Sequence, residues 1–555
     1  MKITFFYIII PALFFLSLLT YRAQGQLSTG GTPVSIQYGL NGVNRDLIVL
    51  TPPDLIAITN ADNLEPSPYR FAVNLPAEIT PDKSGYWMDV PGGGKIWRAA
   101  IYAKGALALT AYFDRFRIPS GGRLFLYNAD QTDIIGAFTE MNNSASGIFA
   151  TGLIPGDRLT LEYDQPAGIK EMPVIHVNEI AWAYRGVDFF EGKSPNQGSA
   201  GQCEVNVICP EGNAWQKQIR GVVRIQVKKA ASSYWCSGSV VNNTRNDGTP
   251  YVLTADHCGA NATPEDIGKW IFYFNYEAAV CTNPPDPGTP LSITGAVMKA
   301  HGGNSGNTGS DFFLVRLDQN IPGSFNVYFN GWSRTDSASP SGVGIHHPEG
   351  DVKKISTYDQ PLITSNWQGG PYLSHWKVKW IQTVNGHGVT EGGSSGSPIF
   401  DNQGHIVGAL TGGDSNCDSA SLDLPDYYGK FSWSWDKNGS DSVSVLKYWL
   451  DPDSTGLKIL DGIGVGINEI NSSLPVKVFP NPFTEKVTIE LSHFTGDGSL
   501  MIRDLSGRLL LFQQIPGSHG QSVSLGLAEL ADGLYFLEIM GSKRISVIKI
   551  IKQKP

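Results

Sequence analysis

Charged residues are scarce in this chain of 555 residues. They make up 17% of it, and the net charge of -9 includes no dense run of lysine or arginine. Because nucleic-acid binding requires clustered cations that neutralise phosphates, nucleic acid is not expected as a partner. Cysteine pairs at CxxC spacing and clusters of cysteine with histidine are also missing, so no metal or other cofactor is expected. No stretch beyond the N-terminal segment is long and apolar enough to span a bilayer.

Glycine, proline and aromatic residues are abundant instead. The chain has 63 glycines and 34 prolines, and aromatic residues make up 11% of it. This balance is typical of turn-rich β proteins rather than helical bundles, so the fold is expected to be all-β. Single hydrophobic cores stop growing at roughly 250 to 300 residues, so a chain of this length should contain several domains.

Residues 1–25 have the pattern of a secretory signal peptide. A lysine precedes a short apolar run, and small residues follow at Ala23 and Gly25. The alternative is a membrane anchor, which fits less well because the run is short and is interrupted by Pro11. The protein is therefore expected to be exported.

The six cysteines fall within one window of the chain. An even number of cysteines in an exported protein predicts three disulfides, although spacing alone leaves fifteen possible pairings. The cysteines are Cys203, Cys209, Cys236, Cys258, Cys281 and Cys417.

Residues 26–197 contain no cysteine and are predicted to form a β-sandwich. Their short strands are broken by glycine and proline, and no histidine, aspartate and nucleophile come together in them. Their position ahead of the cysteine-bearing part suggests a removable prosegment; an independent sugar- or protein-binding module is the alternative. A polar linker that carries Lys193 ends this part and is expected to be open to proteolysis.

The remaining chain divides into two predicted β domains. Residues 198–462 read as strands closed by a helix at 443–450, residues 463–475 as a linker, and residues 476–555 as a small β-sandwich. In that sandwich, period-two alternation puts three apolar residues on one face: Val487, Ile489 and Leu491.

Three segments of residues 198–462 carry reactive side chains next to apolar strands. The reactive side chains are those of His257, Asp311 and Ser395. Acyl transfer needs a nucleophile, a base that takes its proton and an acidic group that orients the base, so these three are predicted to form a catalytic triad. The segments are YVLTADHC (251–258), GSDFFLVRL (309–317) and EGGSSGSPIF (391–400).

Glycines around Ser395 predict a tight turn that holds its hydroxyl away from the backbone. The same turn should let the amides of Gly393 and Ser395 point at a developing oxyanion. Two other serines are weaker candidates for the nucleophile. Ser305 has no apolar strand after it, and Ser397 lies two residues past the turn.

Asp256 is the rival of Asp311 as the orienting acid. On an extended segment its side chain should point to the face opposite that of its neighbour His257, so Asp311 is preferred. The resulting chain order, His, Asp, Ser, is that of chymotrypsin-like enzymes and differs from the subtilisin and α/β-hydrolase orders.

Residues 198–462 resemble the bacterial lysyl endopeptidases, a family with the chymotrypsin-like double β-barrel. The resemblance rests, besides the triad segments, on CEVNVICPEG (203–212), CSGSVVNNT (236–244), GVGIHHPEGDVKKIS (342–356) and YWLDPDSTG (448–456). It implies the disulfides Cys203–Cys417, Cys209–Cys281 and Cys236–Cys258.

The resemblance also implies roles for residues beyond the triad. Asp426 corresponds to the carboxylate that recognises lysine, and Trp367 to a tryptophan near the active site. Thr411 replaces a histidine that can occur in this family beside the catalytic imidazole, which puts the reaction rate in question. His346 and His347 lie in a family motif and are expected to be structural.

The prediction of lysine specificity depends on the position of the carboxylate that binds the basic side chain of the substrate. The position six residues before Ser395, which holds an aspartate in trypsin-like enzymes, is Val389 here, so Asp426 or Glu391 must bind the basic side chain. A carboxylate on the pocket wall suits the compact ammonium of lysine better than the forked guanidinium of arginine. Cleavage after lysine is therefore expected. The alternatives are arginine or mixed specificity and, from another class, an inactive secreted binding protein.

Residues 476–555 resemble the sorting domain of the type IX secretion system. The signals are PNP (480–482), DLSGR (504–508) and DGLYFLEI (532–539). The resemblance implies a secreted or cell-surface protein of a Gram-negative bacterium, with the secretion machinery as a partner and this domain removed. The N-terminal sandwich resembles the prosegments of such proteases. The mature enzyme is expected to be a monomer that acts on protein and peptide substrates.

Overall fold

A computed structural model describes residues 28–40, 47–187, 199–282, 291–418, 420–464, 476–491, 498–503, 509–515, 521–540 and 545–553. The predicted signal peptide, the linker that carries Lys193 and the DLSGR segment lie outside these residues. The chain divides into two compact units, residues 1–463 and 464–555. Strands dominate both, so the all-β prediction is confirmed. No helix of the described residues is long and apolar enough to cross a membrane.

Two facing sheets form the N-terminal sandwich. One contains β1, β3, β4, β6, β7 and β10, and the other contains β2, β5, β8, β9 and β11; apolar residues of both, such as Trp97 and Phe113, share one core. A ten-residue helix, α2, was not anticipated; it starts where the Asp54 side chain accepts hydrogen bonds from two backbone amides. The elements are α1 (Val34–Gln37), β1 (Leu47–Leu50), α2 (Leu55–Leu64), β2 (Tyr69–Ile79), β3 (Tyr86–Asp89), β4 (Lys95–Ala103), β5 (Ala108–Arg117), β6 (Arg123–Tyr127), β7 (Ile134–Phe138), β8 (Phe149–Ala150), β9 (Ile154–Pro155), β10 (Arg158–Gln165) and β11 (Val174–Ala183).

Residues 199–464 form two further groups of strands with short helices between them. The elements are α3 (Gln216–Ile219), β12 (Val222–Lys229), β13 (Ser232–Val241), β14 (Tyr251–Thr254), α4 (Asp256–Gly259), α5 (Pro264–Gly268), β15 (Ile271–Phe274), β16 (Leu291–Thr294), β17 (Ala296–Gly302), β18 (Phe312–Leu317), β19 (Tyr328–Phe329), β20 (Trp332–Ser333), β21 (Gly342–His346), β22 (Lys354–Tyr358), β23 (Ile363–Ser365), β24 (His375–Val378), β25 (Pro398–Asp401), β26 (Ile406–Gly413), β27 (Asp426–Lys430), α6 (Phe431–Asp436), α7 (Lys447–Leu450), β28 (Ile459–Leu460) and β29 (Ile463–Gly464).

Each group closes into a barrel. In the first, β12 pairs with β13, β13 with β14, β14 with β18 and β18 with β17; the chain then bends at Gly295 into β16, which pairs with β15, and β15 returns to β12. In the second, the order is β22, β21, β25, β26, β27, β24, β23, and its two end strands, β22 and β23, are consecutive in the chain. This is the double barrel that the resemblance implied.

The N-terminal sandwich and the first barrel share one sheet. Strand β2 pairs antiparallel with β13, with Tyr69 opposite Trp235 and Val73 opposite Ser232, which joins them into a sheet of twelve strands. Buried residues of both parts pack in one apolar cluster that includes Phe71. The two parts therefore form one compact unit.

The closing helix is shorter than the sequence predicts. A helix over 443–450 was expected, but α7 begins only at Lys447. The amide of Leu446 donates to the carbonyl of Ser434, and the amide of Ser444 donates to the carbonyl of Asp441, so this stretch is a set of turns held by tertiary contacts. The Ser434 carbonyl belongs to helix α6, which was not predicted.

The C-terminal unit is a separate pair of sheets. Val487, Ile489 and Leu491 are all buried in its core, which confirms their predicted common face. The pairing orders are β30, β31, β34 and β33, β32, β35, β36. The strands are β30 (Val476–Phe479), β31 (Lys486–Leu491), β32 (Gly498–Arg503), β33 (Leu509–Ile515), β34 (Gln521–Gly526), β35 (Gly533–Met540) and β36 (Ile545–Lys552).

Candidate active site

The first barrel brings His257 and Asp311 together. His257 follows β14 and Asp311 precedes β18, and these two strands pair with Thr254 opposite Phe313. The Nδ1 atom of His257 lies 2.8 Å from Oδ2 of Asp311, and the His257 amide donates to Oδ1 at 3.0 Å. Asp311 is fully buried and has a left-handed backbone, with φ at 53°. Such a conformation is uncommon outside glycine and fixes where this carboxylate points.

Asp256 has side-chain partners other than His257, and its surroundings differ from those that the sequence suggested. It starts the short helix α4 and is not on an extended segment. Its Oδ1 atom lies 2.8 Å from Nδ1 of His301, and its Oδ2 atom accepts from the amide of Ser305 at 3.0 Å. The Asp256 carboxylate thus binds His301 and the Ser305 amide, not the side chain of His257.

Ser395 lies on a loop that packs against the same strands. Its carbonyl accepts from the amide of Ser237 on β13 at 2.8 Å, and it lies 3.9 Å from Sγ of Cys258, the neighbour of His257. Gly396 is required here, because a Cβ atom on it would lie 2.2 Å from the Thr254 hydroxyl and its φ is 80°. The loop is therefore held beside the histidine by the barrel.

The hydrogen bond expected between Ser395 and His257 is not formed. Within the described residues, Nε2 of His257 is buried and has no hydrogen-bond partner, so Ser395 does not donate to it. Catalytic hydrogen bonds are often long without substrate. The amides of Gly393 and Ser395 likewise donate to no other group of the described chain.

Three disulfides join Cys203 to Cys417, Cys209 to Cys281 and Cys236 to Cys258. These are the pairs that the resemblance implied. The Cys236–Cys258 bridge ties β13 to the residue that follows His257.

Asp426 is fully buried at the start of β27 and is bound by neutral donors. Its Oδ2 atom accepts from Nε1 of Trp380 at 2.6 Å, from the Thr390 hydroxyl at 2.8 Å and from the Ser415 hydroxyl at 2.6 Å. Burial raises the pKa of this carboxyl to about 6, against these hydrogen bonds, which lower it. In the described residues no lysine or arginine forms an ion pair with it.

The Glu391 carboxylate has partners different from those of Asp426. Its Oε2 atom accepts from the amide of Gly201 at 3.0 Å, and its Oε1 atom lies beside the Cys203–Cys417 bridge. Burial raises the pKa of Glu391. The structure thus separates the two carboxylates that the sequence left as alternatives.

A cavity of about 580 Å³ adjoins the histidine. Its lining includes His257, Trp367 and Thr411, and from the N-terminal sandwich Asp62 and Arg70; Ser395 is not on its wall. The Trp367 ring meets that of Tyr427 edge to face at 5.6 Å. The Thr411 hydroxyl lies 3.0 Å from Nε2 of the buried His375.

Comparison with known proteins identifies two parts of the chain. Residues 197–429 match the family model "Lysyl endopeptidase, C-terminal domain". The chain is also 27% identical over 363 residues to the lysyl endopeptidase of Pseudomonas aeruginosa, which covers 62% of this chain and 75% of that protein. Residues 197–429 are therefore similar to the C-terminal domain of lysyl endopeptidases. The protein is a serine endopeptidase.

The C-terminal unit of the endopeptidase is also identified. Residues 477–553 match the family model "Secretion system C-terminal sorting domain". The endopeptidase is therefore a secreted or cell-surface protein.

Two solved protease structures show only a distant likeness to the endopeptidase. Protease Anisep of Arthrobacter nicotinovorans is 17% identical with a TM-score of 0.27, and the match covers 39% of this chain and 91% of that one. The thermostable serine protease AL20 is 13% identical with a TM-score of 0.24, covering 38% and 91%.

Sequence reasoning missed two residues that contact the candidate site of the endopeptidase. Tyr69 of the N-terminal sandwich packs against Gly392, where a Cβ atom would lie 2.5 Å from its ring. Ser237, on β13, holds the carbonyls of Gly393 and Ser395. Tyr69 lies in none of the quoted motifs. Ser237 lies in CSGSVVNNT (236–244), but the motif does not show that it contacts Gly393 and Ser395, so only the tertiary fold reveals these contacts.

Proposed function

We propose that the endopeptidase cleaves peptide bonds after lysine, with His257, Asp311 and Ser395 as its triad. Ser395 Oγ attacks the carbonyl carbon of the scissile bond while His257 Nε2 takes its proton. The same proton passes to the leaving amine as the C–N bond breaks. A water molecule then gives its proton to His257 and attacks the acyl-enzyme, which releases the acid product and restores Ser395.

The 2.8 Å contact between His257 and Asp311 is the observation that carries this proposal. A fully buried carboxylate at Nδ1 fixes the tautomer in which Nε2 can accept a proton, and it stabilises the imidazolium that forms. The free Nε2 atom and the two unused amides of Gly393 and Ser395 are the groups that the reaction needs.

Asp426 supports lysine as the preferred residue. Its Oδ2 atom is surrounded by neutral donors that orient the charge without cancelling it, whereas Glu391 is turned toward the Gly201 amide. A compact ammonium can reach such a recessed carboxylate, while a planar guanidinium needs room for two parallel hydrogen bonds.

Matched peptides that differ only in lysine or arginine at the cleaved position test this specificity. We expect kcat/KM to be at least about tenfold higher for lysine, which corresponds to about 1.4 kcal/mol of difference in transition-state binding. Steady-state kinetics with both peptides and mass spectrometry of one digested test protein provide the measurement. Equal kcat/KM values would replace lysine specificity with mixed basic specificity and leave the triad intact.

The N-terminal sandwich acts as an inhibitory prosegment in this proposal. Strand β2 occupies the edge of β13 next to Cys236, and an extended peptide substrate can use such an edge through backbone hydrogen bonds. Tyr69 covers Gly392, and residues of α2 line the cavity beside His257. The shared apolar core explains why removal would require cleavage of the chain rather than simple opening.

Blocking the expected cleavage after Lys193 should keep the enzyme inactive. We expect Lys193→Gln to retain residues 26–193 and to lower kcat/KM on a short lysine peptide about tenfold or more, because a tethered inhibitor acts at an effective concentration near millimolar. The wild-type mature N-terminus should lie between Ser194 and Gly198. N-terminal sequencing and kinetics check both statements; a fully active secreted enzyme that still carries the sandwich would refute the prosegment role.

The sorting domain supports export from a Gram-negative cell by the type IX machinery, with cleavage in the linker 463–475. The mature enzyme in this proposal is a monomer of residues 198–462.

A further inference from the structure

The turn formed by residues 346–350, here the HHPEG turn, lies directly behind the loop that carries Ser395. The amide of Glu349 donates to the carbonyl of Gly392 at 2.5 Å. A Cβ atom on Gly393 would lie 3.0 Å from the Glu349 nitrogen and 3.0 Å from the His347 carbonyl oxygen. The turn therefore contacts the peptide group between Gly392 and Gly393 from one side.

This contact determines where the Gly393 amide points. In a trans peptide the C=O and N–H bonds point in opposite directions. Because the Gly392 carbonyl is bound by the turn, the Gly393 N–H is directed away from it. The Ser395 amide is oriented in the same way. The carbonyl of Ser394 accepts a hydrogen bond from the Ser397 amide at 3.0 Å, so the Ser395 N–H points in the opposite direction from that carbonyl.

Ser237 links the HHPEG turn to the loop. Its hydroxyl accepts from the His347 amide at 2.9 Å and donates to the Gly393 carbonyl at 3.0 Å. Its own amide donates to the carbonyl of Ser395 at 2.8 Å. The side chain is fully buried, so water does not replace these bonds.

The turn is itself held from the far side. Arg224 donates to the Gly350 carbonyl at 2.6 Å, and its buried guanidinium lies 3.9 Å from the centre of the Tyr276 ring. The Nδ1 atom of His346 lies 2.8 Å from the Ser394 hydroxyl. Burial lowers the pKa of His346 to about 3, so this histidine is a neutral hydrogen-bonding group and does not exchange protons with substrate near neutral pH.

We propose that the HHPEG turn and Ser237 orient the Gly393 amide for the transition state, and that Ser237 is a positioning residue for the reaction at Ser395. The proposal rests on the proposed function, because it requires the Gly393 and Ser395 amides to bind the oxyanion. Ser237 touches no substrate atom in this scheme. It acts by holding the Gly393 carbonyl, and the turn acts by holding the Gly392 carbonyl.

Ser237→Ala tests the proposal in the enzyme matured from the full chain. Removal of one direct oxyanion donor lowers kcat about a hundredfold to a thousandfold. Ser237→Ala keeps the Gly393 amide but removes the hydrogen bond that orients its peptide group, so kcat should fall about tenfold to a hundredfold. KM for a lysine peptide should change less than about twofold. A peptide aldehyde, which adds to Ser395 and places its oxygen in the oxyanion site, should bind more weakly by the same factor as kcat falls.

Ser239→Ala is the matched control. Ser239 lies two residues along β13, is equally buried and also makes side-chain hydrogen bonds, to Val240 and from Asn330. It should lose stability like Ser237→Ala but keep kcat and aldehyde affinity. Similar kcat losses in both variants, or unchanged kcat and aldehyde affinity in Ser237→Ala, would overturn the proposal. A wild-type enzyme that cleaves no lysine or arginine peptide would instead reject the proposed function, and the positioning role with it.

Discussion

Replacement of Ser395 by alanine is expected to lower kcat on a lysine peptide by about a millionfold, because loss of the nucleophile removes the acyl-enzyme route altogether. The fold should persist, since the Ser395 contacts to β13 run through its backbone carbonyl and not through its hydroxyl. Steady-state kinetics and a thermal unfolding curve measure the two effects. A serine-directed organofluoride should label wild-type Ser395 and leave the variant unlabelled.

Two other serines serve as controls for this prediction. Ser305 lines the cavity beside His257, and Ser397 is fully buried two residues after Ser395. Ser305→Ala and Ser397→Ala should retain turnover and should still be labelled at Ser395, as read by mass spectrometry of the labelled peptide. Near-wild-type cleavage by Ser395→Ala, or labelling of Ser305, would show that the nucleophile is misassigned.

The segments of the proposed triad stand out in the sequence because each reactive residue sits beside a strongly apolar strand. The run before His257 and the run after Asp311 form β14 and β18, which pair directly. Chain order then selected the chymotrypsin-like arrangement. The reason given for rejecting Asp256 was wrong, because four residues are too few for a helical periodicity to show, and α4 was taken as extended.

The shared sheet between the N-terminal sandwich and the first barrel could not be predicted. Period-two alternation in β2 shows which residues face a core, but it does not say which edge accepts the strand. The partner β13 lies more than 150 residues away, and the Tyr69–Trp235 pairing depends on how two separately predictable domains dock. The sequence therefore predicted a prosegment domain and an endopeptidase domain joined by a linker, without the sheet that they share.

The choice between Asp426 and Glu391 was also beyond the sequence. Both are carboxylates that the sequence offered for binding the basic side chain, and the family resemblance favoured Asp426. The structure distinguishes them by their partners. Three neutral donors surround Asp426, whereas a backbone amide of residue 201 binds Glu391. The partners come from distant segments that only the disulfide Cys203–Cys417 and the second barrel bring together.

Asp426→Asn should therefore reduce kcat/KM on lysine peptides at least about a hundredfold, which corresponds to about 2.7 kcal/mol. The amide has the same shape and its oxygen can still accept from Trp380 and Ser415, so the loss reports the missing charge rather than a collapsed pocket. A desolvated pair between this carboxylate and a lysine ammonium is worth several kcal/mol when one partner is removed. Kinetics on a lysine peptide provide the measurement.

Glu391→Gln is the matched control, since it removes the charge of the other carboxylate that the sequence offered for binding the basic side chain. It should leave kcat/KM on lysine peptides within about threefold of wild type, because its carboxylate does not bind the substrate ammonium in this assignment. The pH dependence adds a second test. Burial raises the pKa of Asp426 to about 6, so its charged form is lost as the pH falls through that value, and kcat/KM for lysine should fall with it. This ionisation should be missing from the profile of Asp426→Asn and present in that of Glu391→Gln. A hundredfold loss in Glu391→Gln with little change in Asp426→Asn would reverse the assignment of the two carboxylates.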